Sequence, residues 1–161
     1  MNNFKLSKYS RLGDLLHIGK EFNLHLEVLN EEDSKTYIDK TFNLFNPLKT
    51  WGHIQIGRGE SLAPTEKYQN IYSLFMTSSP LFVIFDQNHK EDKNWVLKVK
   101  NGRDFAKLVY ENGNLEYFLS DEKNTFLVAV NWYSIEYIGS LFFDKNKLDE
   151  FSHNNLEEFF M

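Results

Sequence analysis

The sequence contains no cysteine. That excludes a disulfide scaffold, a thiolate zinc site, a cysteine nucleophile and dithiol redox chemistry, and it suits a reducing compartment. Only three prolines and eight glycines interrupt 161 residues. There is no internal repeat, no low-complexity tract and no Pro/Gly/Ser linker longer than a turn, so a single domain over residues 1–161 is expected. No apolar run approaches the roughly 18 residues of a membrane span. The opening MNNFKLSKYSRLGDLL also lacks the apolar stretch and cleavage site of a secretory signal. The expectation is a soluble cytoplasmic protein with no membrane partner.

Catalytic signatures are missing as well. The stretch IGRGES carries Gly57 and Gly59. It lacks the third glycine of a dinucleotide fingerprint and the Gly-Lys-Ser/Thr ending of a phosphate loop, so a turn is the expected reading. His17, His25, His53, His89 and His153 are scattered, with no i, i+4 pair and no HExxH or HxH spacing. Local sequence therefore builds no metal site, and His89 reads as a solvated loop residue. No G-x-S-x-G elbow is present. A paired-acid hydrolase can be imagined from Asp121, Glu122, Glu116 and Glu136, but solvated acids are the plainer account. The sequence points to no cofactor, no metal and no catalytic residue, and an enzyme is the minority reading.

Basic residues are scarce in the C-terminal third. Residues 111–161 hold ten Asp/Glu against Lys123, Lys145 and Lys147, a local net charge of −7 against −5 for the whole chain. Such a segment repels a phosphate backbone, so nucleic acid is not an expected ligand.

What is present is aromatic. Fifteen Phe, eight Tyr and three Trp supply a core of large rings, each burying roughly 150–250 Å². Apolar spacing predicts a helix over Thr65–Thr77, with Thr65 as N-cap, and another over Ser34–Phe45 with Asn46-Pro47 as its stop. A weaker one is expected over Lys8–Ile18. FAKLVY, from Phe105, fits helix or strand equally. Asp144 can cap a terminal turn carrying Leu148 and Phe151. Strands are expected around Leu24–Val28, Ile54–Ile56, Leu81–Phe85, Trp95–Val99, Leu115–Leu119, the run TFLVAVNW (residues 125–132), apolar on both faces, and Ile135–Ile138. The class is α+β: an antiparallel meander over about residues 81–143, packed against several helices that cover one side. Phe75, Val83, Phe85, Val128 and Val130 are the expected core.

One stretch, LEYFLSDEKNTFLVAVNWYSIEYIG (residues 115–139), gathers aromatics and carboxylates with a single lysine. Glu116, Asp121, Glu122 and Glu136 could steer a basic partner, and Trp132 and Tyr133 could anchor it. The pattern is an acidic aromatic strand, an Asp-Glu-Lys turn, and a hydrophobic strand leading into a polar aromatic pair. It resembles the C-terminal part of small bacterial immunity-type proteins that accompany polymorphic or contact-dependent toxins. The resemblance implies a cytosolic α+β inhibitor that blocks one cognate toxin domain, encoded nearby, and the acidic face suits a toxin that is a basic nuclease. No binding residue carries over from it by position. The alternative is a small-ligand-binding domain or small enzyme whose pocket is assembled from distant residues.

Overall fold

The computed structural model describes residues 10–54, 61–69, 71–73, 78–112, 115–140, 146 and 149. The Ser10 hydroxyl accepts a hydrogen bond from Gly13 N–H at 2.9 Å and so caps helix α1 (Arg11–Glu21). Leu12, Leu15 and Ile18 fall at i, i+3 and i+6 and form its buried stripe. A short strand β1 (Leu26–Val28) follows. Helix α2 (Glu31–Phe45) starts three residues ahead of the sequence expectation. Its N-cap is Asn30, whose side chain accepts from Asp33 N–H at 2.7 Å, and Glu31, Glu32 and Asp33 place negative charge on the first turn. It stops at Asn46 in the left-handed conformation (φ 46°), just before Pro47.

Strand β2 (Ser61–Pro64) runs directly into the single turn of α3 (Thr65–Tyr68). The predicted Thr65–Thr77 helix is therefore helical only over Thr65–Tyr68 among the described residues. Pro64, not Thr65, is its N-cap, because the Thr65 hydroxyl donates to the Asn131 carbonyl at 2.8 Å. Strands β3 (Leu81–Phe85) and β4 (Val96–Val99) form a hairpin. A 3-10 turn at Gly102–Asp104 leads into α4 (Phe105–Asn112), which settles FAKLVY as helix. Strands β5 (Tyr117–Asp121), β6 (Phe126–Val130) and β7 (Ser134–Gly139) complete the described elements. Phe75, Ile56, Gly57, Gly59 and the Asp144–Phe151 turn lie outside the described residues, apart from Asn146 and Asp149.

The seven strands form one antiparallel sheet in the order β1-β4-β3-β5-β6-β7-β2. Only β5-β6-β7 is a true meander. α4 carries the chain from β4 past β3 to β5, so β3 pairs with both β4 and β5. Helices cover both faces of the sheet, not one. Val83, Phe85, Leu119, Val128 and Val130 pack with Leu12, Leu15, Phe105 and Leu108 of α1 and α4. On the opposite face Phe82, Ile84, Phe118, Leu127 and Ala129 pack with Tyr37, Ile38 and Phe45 of α2. Tyr37 stacks on Phe82 with ring centroids 4.7 Å apart, and Phe42 meets Phe118 edge-on at 5.2 Å. Every residue of β3 and β6 is buried, as expected for strands whose continuous apolar runs are covered twice. No helix among the described residues is long and apolar enough to cross a membrane.

Candidate functional site

The end of the sheet where β3 and β6 finish and β5 and β7 begin carries the most chemistry. β6 ends at Val130, and the chain reverses through Asn131–Trp132–Tyr133 into β7. Asn131 is 2% exposed, and its side chain organises the turn. Its Oδ1 accepts from Tyr133 N–H at 3.0 Å and Ser134 N–H at 2.9 Å. Its Nδ2 donates to the Gly52 carbonyl at 2.7 Å and lies 3.3 Å from a Glu136 carboxylate oxygen. Thr65 adds a bond from its N–H to the Tyr133 carbonyl at 3.2 Å. Gly52 sits at φ 72°, and a Cβ there would lie 2.3 Å from the Val130 carbonyl oxygen, so only glycine lets the loop come this close.

This turn displays two rings. Trp132 is 62% exposed and Tyr133 83% exposed, although the backbone beneath them is held on both sides. Beside them the loop after α2 presents Trp51 and His53, with Lys49 Nζ 5.5 Å from the Trp51 ring centroid. Burial, and then the Lys49 charge, lower the His53 pKa below its ordinary value.

Next to Trp132 a cleft of about 130 Å³ opens between four segments of the chain. Arg11 comes from the start of α1; Phe85 and Asp86 from the end of β3; His89 and Asp92 from the β3–β4 loop; Leu115 and Glu116 from the approach to β5. Asp92 is fully buried and accepts from the Ser10 hydroxyl at 2.7 Å, Arg11 N–H at 2.8 Å and Leu12 N–H at 3.3 Å. It thus satisfies the free N–H groups of the α1 start and places a negative charge at the positive end of the helix dipole. His89 Nδ1 lies 3.0 Å from Asp92 Oδ2, so this ring is half-buried against a carboxylate, not solvated as the sequence suggested. Burial raises the Glu116 pKa; the hydrogen bond from Trp132 N–H opposes the rise, the Asp86 charge adds to it, and Lys49 opposes it. Among the described residues, no group of three or more His, Cys, Asp or Glu could hold a metal ion.

The six residues proposed from sequence do not form one surface. Trp132, Tyr133 and Glu116 share this end of the sheet. Asp121 and Glu122 occupy the opposite end of β5, in the turn to β6. There Asp121 accepts from Thr125 N–H at 2.8 Å, and its carbonyl accepts from the Tyr37 hydroxyl at 2.8 Å, which ties the turn to α2. Glu122 is exposed. Glu136 is only 4% exposed and accepts from Ile54 N–H at 3.0 Å, so it serves the interior and not an outer face. Sequence reasoning missed Asn131, Arg11, Asp86 and Asp92. For Asn131 a signal existed: an Asn ending an apolar strand with Ser three residues later is a turn-forming side chain. The others are joined only by the fold.

No protein-family model matches the chain, and no curated protein or solved structure matches it either. The functional reading rests on the site's own chemistry.

Proposed function

We propose that the protein acts by binding another protein, as a stoichiometric inhibitor of the immunity type that neutralises a cognate toxin domain. The contact is centred on the Trp132–Tyr133 turn. The observation that carries this reading is a pair of large rings, 62% and 83% exposed, on a backbone fixed by the buried Asn131. Exposed apolar rings cost solvation free energy unless a partner covers them. Preorganised aromatic side chains lose little entropy on binding and are the commonest interface anchors. The acid-rich C-terminal third suits a basic partner such as a nuclease domain.

The test is association with the product of the neighbouring gene, measured by surface-based kinetics with a melting curve for every variant. Trp132→Ala should leave stability unchanged and speed dissociation about 30-fold, the equivalent of ~2 kcal/mol at a hot spot. Association should slow as salt rises. Dissociation left unchanged by both Trp132→Ala and Tyr133→Ala, or no association at all, refutes the reading.

The cleft favours a second reading, a small-ligand-binding domain or small enzyme, because Arg11, His89, Glu116 and Trp132 converge there from separate segments. A metabolite screen by thermal shift separates the two: a saturating ligand with no protein partner supports the second.

A further inference from the structure

We propose that the cleft beside Trp132 receives one basic side chain, an arginine or a lysine, of the protein partner. This rests on the protein-binding reading above and assigns chemistry to the space next to the exposed rings.

The cleft is small. About 130 Å³ falls below the roughly 300–1,000 Å³ of ordinary small-molecule sites, so it suits the head of one side chain rather than a nucleotide or an oligosaccharide. Its negative charge is only partly compensated. Asp86 and Glu116 both line it, and among the described residues neither is in a salt bridge. Asp86 is held by a backbone N–H, Asn88 donating to its Oδ1 at 2.8 Å, and the Trp132 N–H favours the charged form of Glu116. A carboxylate has about four acceptor sites, so both keep capacity for a further donor. Two like charges facing one cleft are unfavourable until a cation enters it. The walls suit the same guest, since Leu115 and the exposed Trp132 ring can cover an alkyl stem, and the ring can face a guanidinium or ammonium head. Two cations already lie near: Arg11, which lines the cleft from α1 and, among the described residues, pairs with Asp14 at 3.9 Å, and Lys49, whose charge acts on Glu116.

Arg11 separates the possible guests. If the guest is a cation, removing the Arg11 charge strengthens binding; if it is an anion or a zwitterion held by Arg11, the same change weakens it. The experiment is an NMR titration of the whole protein with N-acetyl-arginine methylamide, N-acetyl-lysine methylamide and the uncharged citrulline analogue. The Trp132 indole N–H and the Glu116 amide report, and each variant is first shown to melt near the wild-type temperature. Saturable shifts are expected with the two cations and not with citrulline. Binding should weaken about tenfold in Glu116→Gln and in Asp86→Asn, a typical loss for a charged contact, and should tighten in Arg11→Gln. Equal binding of citrulline, no saturation by either cation, or weaker binding in Arg11→Gln overturns the proposal. If the cations fail while Trp132→Ala still weakens the neighbouring gene product, only the cleft assignment falls. If the cations saturate but no protein binds, the guest is a free amine or guanidine, and the protein-partner reading falls.

Discussion

Replacing Asn131 by alanine tests whether one buried amide holds the aromatic turn. The change removes an acceptor for Tyr133 N–H and Ser134 N–H, at 3.0 and 2.9 Å, and a donor to the Gly52 carbonyl at 2.7 Å and to Glu136. A neutral hydrogen bond contributes about 1 kcal/mol net, and one to a buried charge somewhat more. Tyr133 N–H lies in an exposed turn where water can replace the lost acceptor, whereas the Gly52 carbonyl and Glu136 sit inside. The expected loss is about 3 kcal/mol, which for a chain of this size lowers Tm by roughly 6–12 °C. Urea unfolding followed by far-ultraviolet circular dichroism measures it, with Trp132→Ala as the control, whose exposed ring should change stability by less than about 0.5 kcal/mol. Asn131→Asp sharpens the test. It keeps the acceptor oxygen but loses the donor and brings a second carboxylate toward Glu136, so it should be no more stable than the alanine variant. A loss under about 0.5 kcal/mol in Asn131→Ala, or an aspartate variant clearly more stable than it, would refute the account of the turn.

Three further outcomes follow from the same structure. Val128 is fully buried and pairs with Leu119 and Tyr137, so Val128→Asp should cost more than about 4 kcal/mol and leave no cooperative melting transition near the wild-type one. Asp92→Ala should cost about 2–3 kcal/mol by stripping three acceptor contacts from the start of α1, while Asp92→Asn, which keeps one acceptor oxygen but turns an NH2 donor toward a helix N–H, should recover only part of that loss, both read by urea midpoint. Because the Glu116 pKa is raised in the folded protein, its ionisation disfavours the fold. Glu116→Gln should therefore melt higher than wild type at neutral pH, and the difference should vanish as the pH falls below the ordinary glutamate range; a difference that persists or grows in acid contradicts the shift.

Much of the fold was legible because its signals are local. The continuous apolar runs of β3 and β6 named buried strands, and Val83, Phe85, Val128 and Val130 are all buried. The ends of elements were harder. The apolar stripe of α2 begins near Tyr37 and points to a start at Ser34, but Asn30 and three acids begin the helix earlier. β2 was invisible: Ser61–Pro64 carries a proline and sits at the edge of the sheet, where pairing with β7 alone makes it a strand. Helices on both faces are implicit in the doubly apolar strands, whereas an alternating antiparallel meander usually leaves one face wet.

The site was less legible because nearness in sequence along a hairpin is not nearness on a surface. The turns holding Asp121–Glu122 and Trp132–Tyr133 lie at opposite ends of β6 (Phe126–Val130), about 17 Å apart at roughly 3.3 Å per residue. That is about twice the screening length of 8 Å at physiological salt, so Asp121 and Glu122 act on a partner at Trp132 through weak long-range steering alone. Glu136 failed for another reason. It alternates correctly with Ile135 and Tyr137, but the face it shares with Ala129 is covered by the loop carrying Ile54, whose N–H it accepts. A small residue opposite leaves room for the carboxylate, and a backbone donor satisfies it there. The acid that stays beside the rings is Glu116, joined by Asp86 from a strand the local sequence window does not contain. The charge able to act at the anchor therefore comes from pairing β3 with β5, a contact between segments about 30 residues apart that no local pattern encodes.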